Sequence, residues 1–201
     1  MISVFSFREA VQSFVVAVSQ SPSSNGTTTA MSMSLPSCVK DNVSHFPKLP
    51  SNRNSYEDFA VLEGNIVMVN GQRFYHIYCS RDMGELKYTT QGTFGGKSMK
   101  ANLEIYHPGF KPKLLGFIAS VMNSEAIILA RLNNGDIHML GDEDRGAEIS
   151  ENVEASSGKA VTDNNGATVS VVYDTPTAQV YTGVMDSLIG QSTNLDDQVT
   201  P

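Results

Sequence analysis

The segment Gly92–Ser98 contains the residues most similar to a nucleotide-binding motif, because it ends in Gly-Lys-Ser. A phosphate-binding P-loop needs four residues between its first glycine and Gly-Lys-Ser, and it must open a helix. Gly92 leaves three residues, the correctly spaced position is Gln91, and an alternating apolar and polar run follows. The segment therefore predicts a glycine-rich connection between strands and no nucleotide site.

An acidic run, Asp142–Glu148, has the composition of a calcium-binding loop. An EF-hand loop places acids or amides at its first, third and fifth positions and a glycine at its sixth. Counted from Asp142, the fifth position is Gly146 and the sixth is Ala147, so the pattern fails. The run predicts a solvated acidic loop, and we expect no metal site.

The other polar residues match no catalytic or metal-binding pattern. The histidines lack metal-ligand spacing, and we expect each on a polar face or in a turn: His45, His76, His107 and His138. The sequence contains neither a Gly-x-Ser-x-Gly elbow nor a His-Glu-x-x-His motif. Cys38 and Cys79 follow no disulfide or zinc pattern. The sequence thus predicts a protein that is not an enzyme, with no cofactor.

The elements that carry these residues are mainly strands. Asn-Gly pairs between apolar runs favour tight hairpin turns, and three occur: Asn70-Gly71 between 65–69 and 72–79, Asn134-Gly135 between 126–132 and 136–140, and Asn165-Gly166 between 159–162 and 167–172. Two further strands are predicted at Glu85–Thr90 and Met99–Tyr106. The second alternates apolar and polar residues, so one of its faces should be buried.

Two helices are predicted. Pro112 suits a first helical turn, and an apolar stripe follows over 112–123: Leu114, Ile118, Val121 and Met122. This helix should lie on a sheet and close its core. Apolar residues at spacings of three and four predict a second helix over 4–18, although the run Phe14–Val18 also suits a strand.

The chain of 201 residues, 40% hydrophobic and 17% charged, predicts one core-forming domain. We expect a mainly β fold, an antiparallel β-sandwich or half-open barrel with one flanking α-helix and an extended N-terminal arm. Residues 1–58 form the arm, since 19–37 have linker composition and 47–58 are irregular. Residues 59–187 form the sandwich, which we expect to fold without the arm, and 188–201 form an acidic, polar, mobile tail.

The formal net charge of −7 is unevenly distributed. Residues 1–60 are neutral, and residues 61–131 carry eight basic and five acidic residues, a net +3. Residues 132–201 carry twelve acidic residues against Arg145 and Lys159, a net −10. A solvated face explains this pattern, and so does an acidic surface that repels a polyanion. Binding of nucleic acid by phosphate neutralisation is not expected.

Short motifs spread over 84–183, about half of the chain, resemble the tail-tube (major tail) proteins of long-tailed bacteriophages. Their order and spacing carry the resemblance: Gly96-Lys97-Ser98-Met99-Lys100 leading into Leu103–Gly109, Leu115-Gly116-Phe117, Leu140-Gly141-Asp142-Glu143, Ser157–Asp163 with Gly166, and Pro176 through Tyr181-Thr182-Gly183. Residues 1–60 have no counterpart in the resemblance.

The resemblance implies a structural virion protein that assembles into stacked hexameric rings, forming a hollow tail tube for DNA passage. Its partners would be further copies of itself, other tail or head–tail proteins, and genomic DNA held transiently without specific binding, with no membrane. It would be assembled in the host cytoplasm and reside in the virion tail. We expect inter-subunit contacts at Phe7, Val11, Phe14, Gly95, Gly96 and Lys97. We expect an acidic lumen or stacking surface at Asp142, Glu143, Asp144, Glu148, Glu151 and Glu154.

Other interpretations stay open. A tail terminator, a head-completion protein or another head–tail connector would form rings that do not stack indefinitely. A secreted β-sandwich adhesin or binding module would need Met1–Gln20 as a signal peptide, but Arg8 and Glu9 interrupt that segment. A small hydrolase with scattered carboxylates has no supporting motif.

Overall fold

The computed structural model of the chain describes residues 11–17, 43–69, 74–80, 83–109, 111–150, 153–159, 165–185 and 188–194. The fold and the site are reported for these residues. Phe7, Glu151, the predicted linker at 19–37 and residues 195–201 lie outside them.

The described residues are mainly β. The strands, in chain order, are β1 (Val11–Ala17), β2 (Val43–His45), β3 (Val61–Leu62), β4 (Val67–Met68), β5 (Phe74–Tyr78), β6 (Gly84–Gln91), β7 (Ser98–Pro108), β8 (Glu125–Leu132), β9 (Ile137–Leu140), β10 (Ala147–Ile149), β11 (Glu154–Ser156), β12 (Gly166–Thr175), β13 (Val180–Tyr181) and β14 (Ile189–Asn194). The helix α1 (Pro112–Val121) connects β7 to β8, and a short 3-10 helix spans Glu57–Phe59.

The strands form two layers that share β8. The main path runs β14-β5-β1-β8-β10-β12-β7-β6, and β2 pairs with β4 separately. We call β6, β7, β10, β11 and β12 sheet A, and β1, β3, β5, β8, β9, β13 and β14 sheet B. Pairing is antiparallel except between β13 and β3 and between β14 and β5. The predicted mainly β sandwich with one flanking helix is confirmed.

The strand β8 is buried on both faces, because every residue from Ala126 to Ala130 is buried. Its even-numbered residues pack between the sheets, against α1 and the inner faces of β7 and β12. Its odd-numbered residues Ile127 and Leu129 face a second core, which contains Phe46, Leu62, Phe74, Tyr181 and Leu188. A central strand buried on both sides explains why 126–132 is nearly continuous in apolar residues.

One of the three Asn-Gly hairpin predictions is confirmed. Asn134-Gly135 joins β8 to β9, with Arg131 opposite Ile137 and Gly135 at a φ of +96°. Asn70 and Gly71 lie outside the described residues, and the strands on either side of them do not form the predicted hairpin, because β4 pairs with β2 while β5 pairs with β1 and β14. The prediction at Asn165-Gly166 is also wrong, since Gly166 lies inside the ladder opposite Pro108.

The strands and helix predicted in the middle of the chain are confirmed. The segment Gly92–Lys97 is the hairpin connection between β6 and β7, with Gln91 opposite Ser98. Ala101, Leu103 and Ile105 form the buried face of β7. The helix α1 buries Leu114, Ile118 and Val121 and has its proline in the first turn. Met122 was predicted on the apolar face, but it follows the last helical residue and is exposed.

The predicted N-terminal helix is wrong for residues 11–17. β1 is a central strand that pairs with β5 on one edge and β8 on the other. Its valine-rich sequence favours a strand, because branched side chains lose χ1 freedom in a helix. Two further segments predicted as arm or tail also belong to the body. Val43 and Phe46 are in the second core, and β14 pairs with β5.

Candidate functional site

The outer face of sheet A is a polar surface that the strand register defines. Along β12, burial alternates, with Ala167, Val169, Val171 and Tyr173 inward. The intervening residues face outward, and the ladders place them beside outward residues of β7, β6, β10 and β11. Such alternation is the sign of an antiparallel sheet with one solvated face.

Carboxylates dominate this outer face. One cross-strand row contains Glu125, Glu148, Val172, Asn102 and Lys87 in sequence across five strands. Neighbouring rows bring the total to six carboxylates and two lysines: Glu85, Glu104, Glu125, Glu148, Glu154 and Asp174, with Lys87 and Lys100. The face therefore has a net negative charge.

Two pairs of carboxylates lie directly opposite each other. Glu85 is the register partner of Glu104, and Glu125 is the partner of Glu148. Directly opposed like charges destabilise a sheet by roughly 0.2–1 kcal/mol per pair. Glu125 Oε2 accepts the Gly146 N–H at 3.3 Å, so this glutamate also holds the acidic loop. The like-charge pairing itself does not favour folding.

A small polar cluster closes one end of this face. The Asp174 carboxylate accepts a hydrogen bond from Gln91 Nε2 at 2.8 Å and one from Arg145 Nη2 at 3.3 Å. Lys100 is the register partner of Asp174. The cluster connects the β6–β7 hairpin to the acidic loop that carries Arg145.

The β6–β7 hairpin loop presents an aromatic side chain to solvent. Phe94 is fully exposed, and side-chain atoms added at Gly95 or Gly96 would meet open space. Gly92 is required in the turn, because its φ is +94° and a Cβ there would meet Gly96 O at 2.5 Å. Among the described strands, none pairs with the second edge of β6. The loop therefore lies at the end of a free sheet edge.

The acidic residues predicted to form one surface do not lie together in the structure. Asp142 turns inward, where Oδ2 accepts the Tyr173 hydroxyl at 2.7 Å and Oδ1 accepts the backbone N–H groups of Asp144 and Arg145. Asp142 thus shapes its own loop and is not a free wall carboxylate. Glu143 pairs with Lys48 at 3.5 Å, beside a shallow groove of about 310 Å³ lined by 43–46.

Of the predicted wall residues, Glu148 and Glu154 lie on the outer face of sheet A, and Asp144 is exposed in the loop. The sequence reasoning missed four carboxylates of that face: Glu85, Glu104, Glu125 and Asp174. The period-two alternation of β6, β7 and β12 would have found Glu85, Glu104 and Asp174. Glu125 begins β8, which is nearly continuous in apolar residues, so alternation does not predict its position.

The residues predicted to make inter-subunit contacts also lie in two different parts of the structure. Gly95, Gly96 and Lys97 are exposed in the hairpin loop. Val11 and Phe14 lie on β1, whose backbone edges are both occupied within the chain. Their predicted contact role stays a prediction.

Two of the histidines are not where the sequence analysis placed them. His107 was predicted in a turn, but it is buried in β7, with Nδ1 2.9 Å from the Tyr78 carbonyl oxygen. His138 is half-buried and lies 3.0 Å from the Tyr88 hydroxyl. Burial lowers the pKa of His138, and the charge of Asp136 opposes that shift.

Within the part of the chain that the structure describes, no group of three or more His, Cys, Asp or Glu side chains is arranged to hold a metal ion. No helix among the described residues has the length and apolar character needed to span a membrane. The sequence matches no protein-family model, and neither a curated protein nor a solved structure shows significant similarity to the chain.

Proposed function

We propose that this protein is a structural virion protein that self-assembles into stacked rings forming a phage tail tube. The observation that carries the proposal is the outer face of sheet A, a multistranded wall with six carboxylates and two lysines. That wall ends at a free strand edge and an exposed hairpin. It combines a surface that repels a polyanion with the means to extend from subunit to subunit.

The charge of the wall suits a channel that conducts DNA without binding it. A protein that binds DNA neutralises phosphates with lysine and arginine and releases counterions. Carboxylates on the wall repel the phosphates, so no counterions are released and the DNA stays mobile. The opposed pairs Glu85–Glu104 and Glu125–Glu148 concentrate the negative charge on the wall, at a small cost to folding stability.

The free edge of β6 supports self-association. The second edge of this eight-residue strand, which no described strand pairs with, presents backbone donors and acceptors that another chain can pair with. Phe94 lies beside this edge and is fully exposed, so its side chain is accessible to a neighbouring copy. We infer that Phe94 and the loop from Gly92 to Lys97 contact a neighbouring copy.

The test is negative-stain electron microscopy of the purified full chain, beside the variant Phe94→Ser. We expect long hollow filaments for the unmodified chain and their loss in the variant. Since Phe94 makes no buried contact, its replacement should change the free energy of unfolding by less than about 0.5 kcal/mol. Tyr56→Ser is the matched control, because Tyr56 is an equally exposed aromatic residue on a different loop.

Each result has a defined meaning. Filaments in the control but not in Phe94→Ser support the proposal. Single closed rings that never stack would instead favour a tail terminator or another head–tail connector. A chain that stays monomeric at every concentration tested would contradict self-assembly.

A further inference from the structure

The turn between β8 and β9 contains an asparagine followed by a glycine, a dipeptide that is chemically labile. Asn134, Gly135 and Asp136 are all exposed in this turn. Asparagine is among the thermally labile residues, and a following glycine has no Cβ to hinder the approach of its backbone nitrogen to the side-chain amide. The folded chain therefore presents both groups that take part in deamidation, with water as the co-reactant.

The reaction has two steps. The Gly135 nitrogen attacks Cγ of Asn134, the new N–Cγ bond forms as the Cγ–Nδ2 bond breaks, and Nδ2 leaves as ammonia with the proton of the Gly135 N–H. Water then opens the resulting cyclic imide at either of its carbonyl carbons, which leaves aspartate or isoaspartate. The rate depends on how easily the nitrogen and Cγ reach attack geometry.

Hydrogen bonds of the native turn hold both reacting groups. The Asn134 side chain is bonded at both ends to one residue, because Oδ1 accepts the Asp136 backbone N–H at 2.8 Å and Nδ2 donates to Asp136 Oδ2 at 2.8 Å. The Gly135 N–H donates to the Leu132 carbonyl oxygen at 3.1 Å. Ring closure moves the side-chain amide onto the Gly135 nitrogen, which gives up its proton. The reaction therefore competes with all three hydrogen bonds.

The second described Asn-Gly pair is held by the sheet instead. Gly166 lies in the ladder between Pro108 of β7 and Ser156 of β11, so its backbone is paired on both edges. Ring closure between Asn165 and Gly166 would require local unpairing of β12. At Asn134 it requires only that an exposed turn opens, and exposed turns open at a lower free energy than paired strands.

We propose that Asn134 is a deamidation site of the folded chain, and that the Asp136 side chain is the positioning residue that slows the reaction. Of the three hydrogen bonds, only the one between Nδ2 and Oδ2 uses that side chain. The other two use backbone N–H groups and persist when Asp136 is shortened. The site is a property of the single subunit and does not depend on assembly.

Deamidation would reverse the contact between Asn134 and Asp136. The Nδ2 donor is replaced by a carboxylate oxygen at a point where donor and acceptor now lie 2.8 Å apart. Two carboxylates at such a distance repel each other. The isoaspartate product also adds a methylene to the backbone of the turn. The turn that joins β8 to β9 is therefore the part of the fold that the modification disturbs.

The experiment follows deamidation of the folded full chain at pH 8.5 by peptide mass spectrometry, which reads the mass increase from amide to acid at Asn134 and Asn165 separately. We expect Asn134 to react faster than Asn165 in the unmodified chain. We expect Asp136→Ala to raise the rate at Asn134 by about two- to tenfold, the effect of losing one hydrogen bond of ordinary strength. Asp144→Ala is the matched control, because it removes an exposed carboxylate from a different loop.

Two further measurements separate the hydrogen bond from other effects of the variant. Asp136→Asn keeps an oxygen acceptor for Nδ2 and should restore the slow rate of the unmodified chain. In guanidinium chloride the turn is absent, so Asp136→Ala and the unmodified chain should lose the Asn134 amide at equal rates. The proposal is overturned if Asn134 does not react in the folded chain or reacts after Asn165. It is equally overturned if Asp136→Ala leaves the rate at Asn134 unchanged or lowers it.

Discussion

At the scale of single residues, the contact between Tyr173 and Asp142 shows how an acidic residue serves the fold. Burial, and then the hydrogen bond to Asp142, raise the pKa of Tyr173, so its hydroxyl stays protonated and donates. The same carboxylate holds two backbone N–H groups of its loop. Asp142 was predicted on an acidic wall because sequence composition cannot distinguish a wall carboxylate from one that turns inward.

We expect Tyr173→Phe to lower the free energy of unfolding by about 1.5–3 kcal/mol, because it removes a hydrogen bond to a charged acceptor. Urea denaturation at pH 7 measures this loss. Tyr56→Phe is the control, since the Tyr56 side chain is 98% exposed and its hydroxyl should contribute less than about 0.5 kcal/mol. If Tyr173→Phe and the unmodified chain have the same free energy of unfolding, the hydrogen bond between Tyr173 and Asp142 does not stabilise the fold.

At the scale of elements, the sequence predicts a strand or helix well where the neighbours along the chain form its surroundings. The alternation of β7, the apolar stripe of α1 and the turn at Gly135 are local signals, and all three predictions are confirmed. The local signals of β1 conflict, because its apolar spacing favours a helix and its valine content favours a strand. Its partners β5 and β8 lie 57 and 108 residues or more along the chain, so the choice between strand and helix is made by tertiary pairing.

Removal of residues 1–42 therefore tests whether β1 is part of the folded body or of a separable arm. We expect this deletion to unfold the body or to lower its stability by several kcal/mol, because it takes out a strand paired on both edges. Circular dichroism and thermal unfolding measure the outcome. Deletion of 195–201, which follows β14, is the matched control and should leave the melting temperature unchanged. A folded, stable product after removal of 1–42 would mean that the original expectation of a separable arm was right.

At the scale of the whole molecule, charge has to be counted by surface and not by position in the sequence. The segment 61–131 carries a net +3, yet it supplies Glu85, Glu104 and Glu125 to the acid-rich face of sheet A. The strongly acidic segment 132–201 supplies Asp142, which is turned inward. Strand pairing sorts alternate residues onto opposite faces, so segment averages conceal the charge of each face.

The last prediction tests whether the location of the carboxylates matters. A variant with Glu85, Glu104, Glu148 and Glu154 replaced by lysine raises the net charge of the chain from −7 to about +1. The control replaces four exposed acidic residues outside sheet A, namely Glu57, Glu63, Glu143 and Asp144, and reaches the same net charge. We expect the first variant to bind double-stranded DNA more tightly, with a steeper loss of affinity as salt increases, because its lysines share one wall. Fluorescence anisotropy across a salt series measures both quantities. Equal affinity and equal salt dependence in the two variants would mean that net charge alone governs contact with DNA, and the wall would then have no role in keeping DNA mobile.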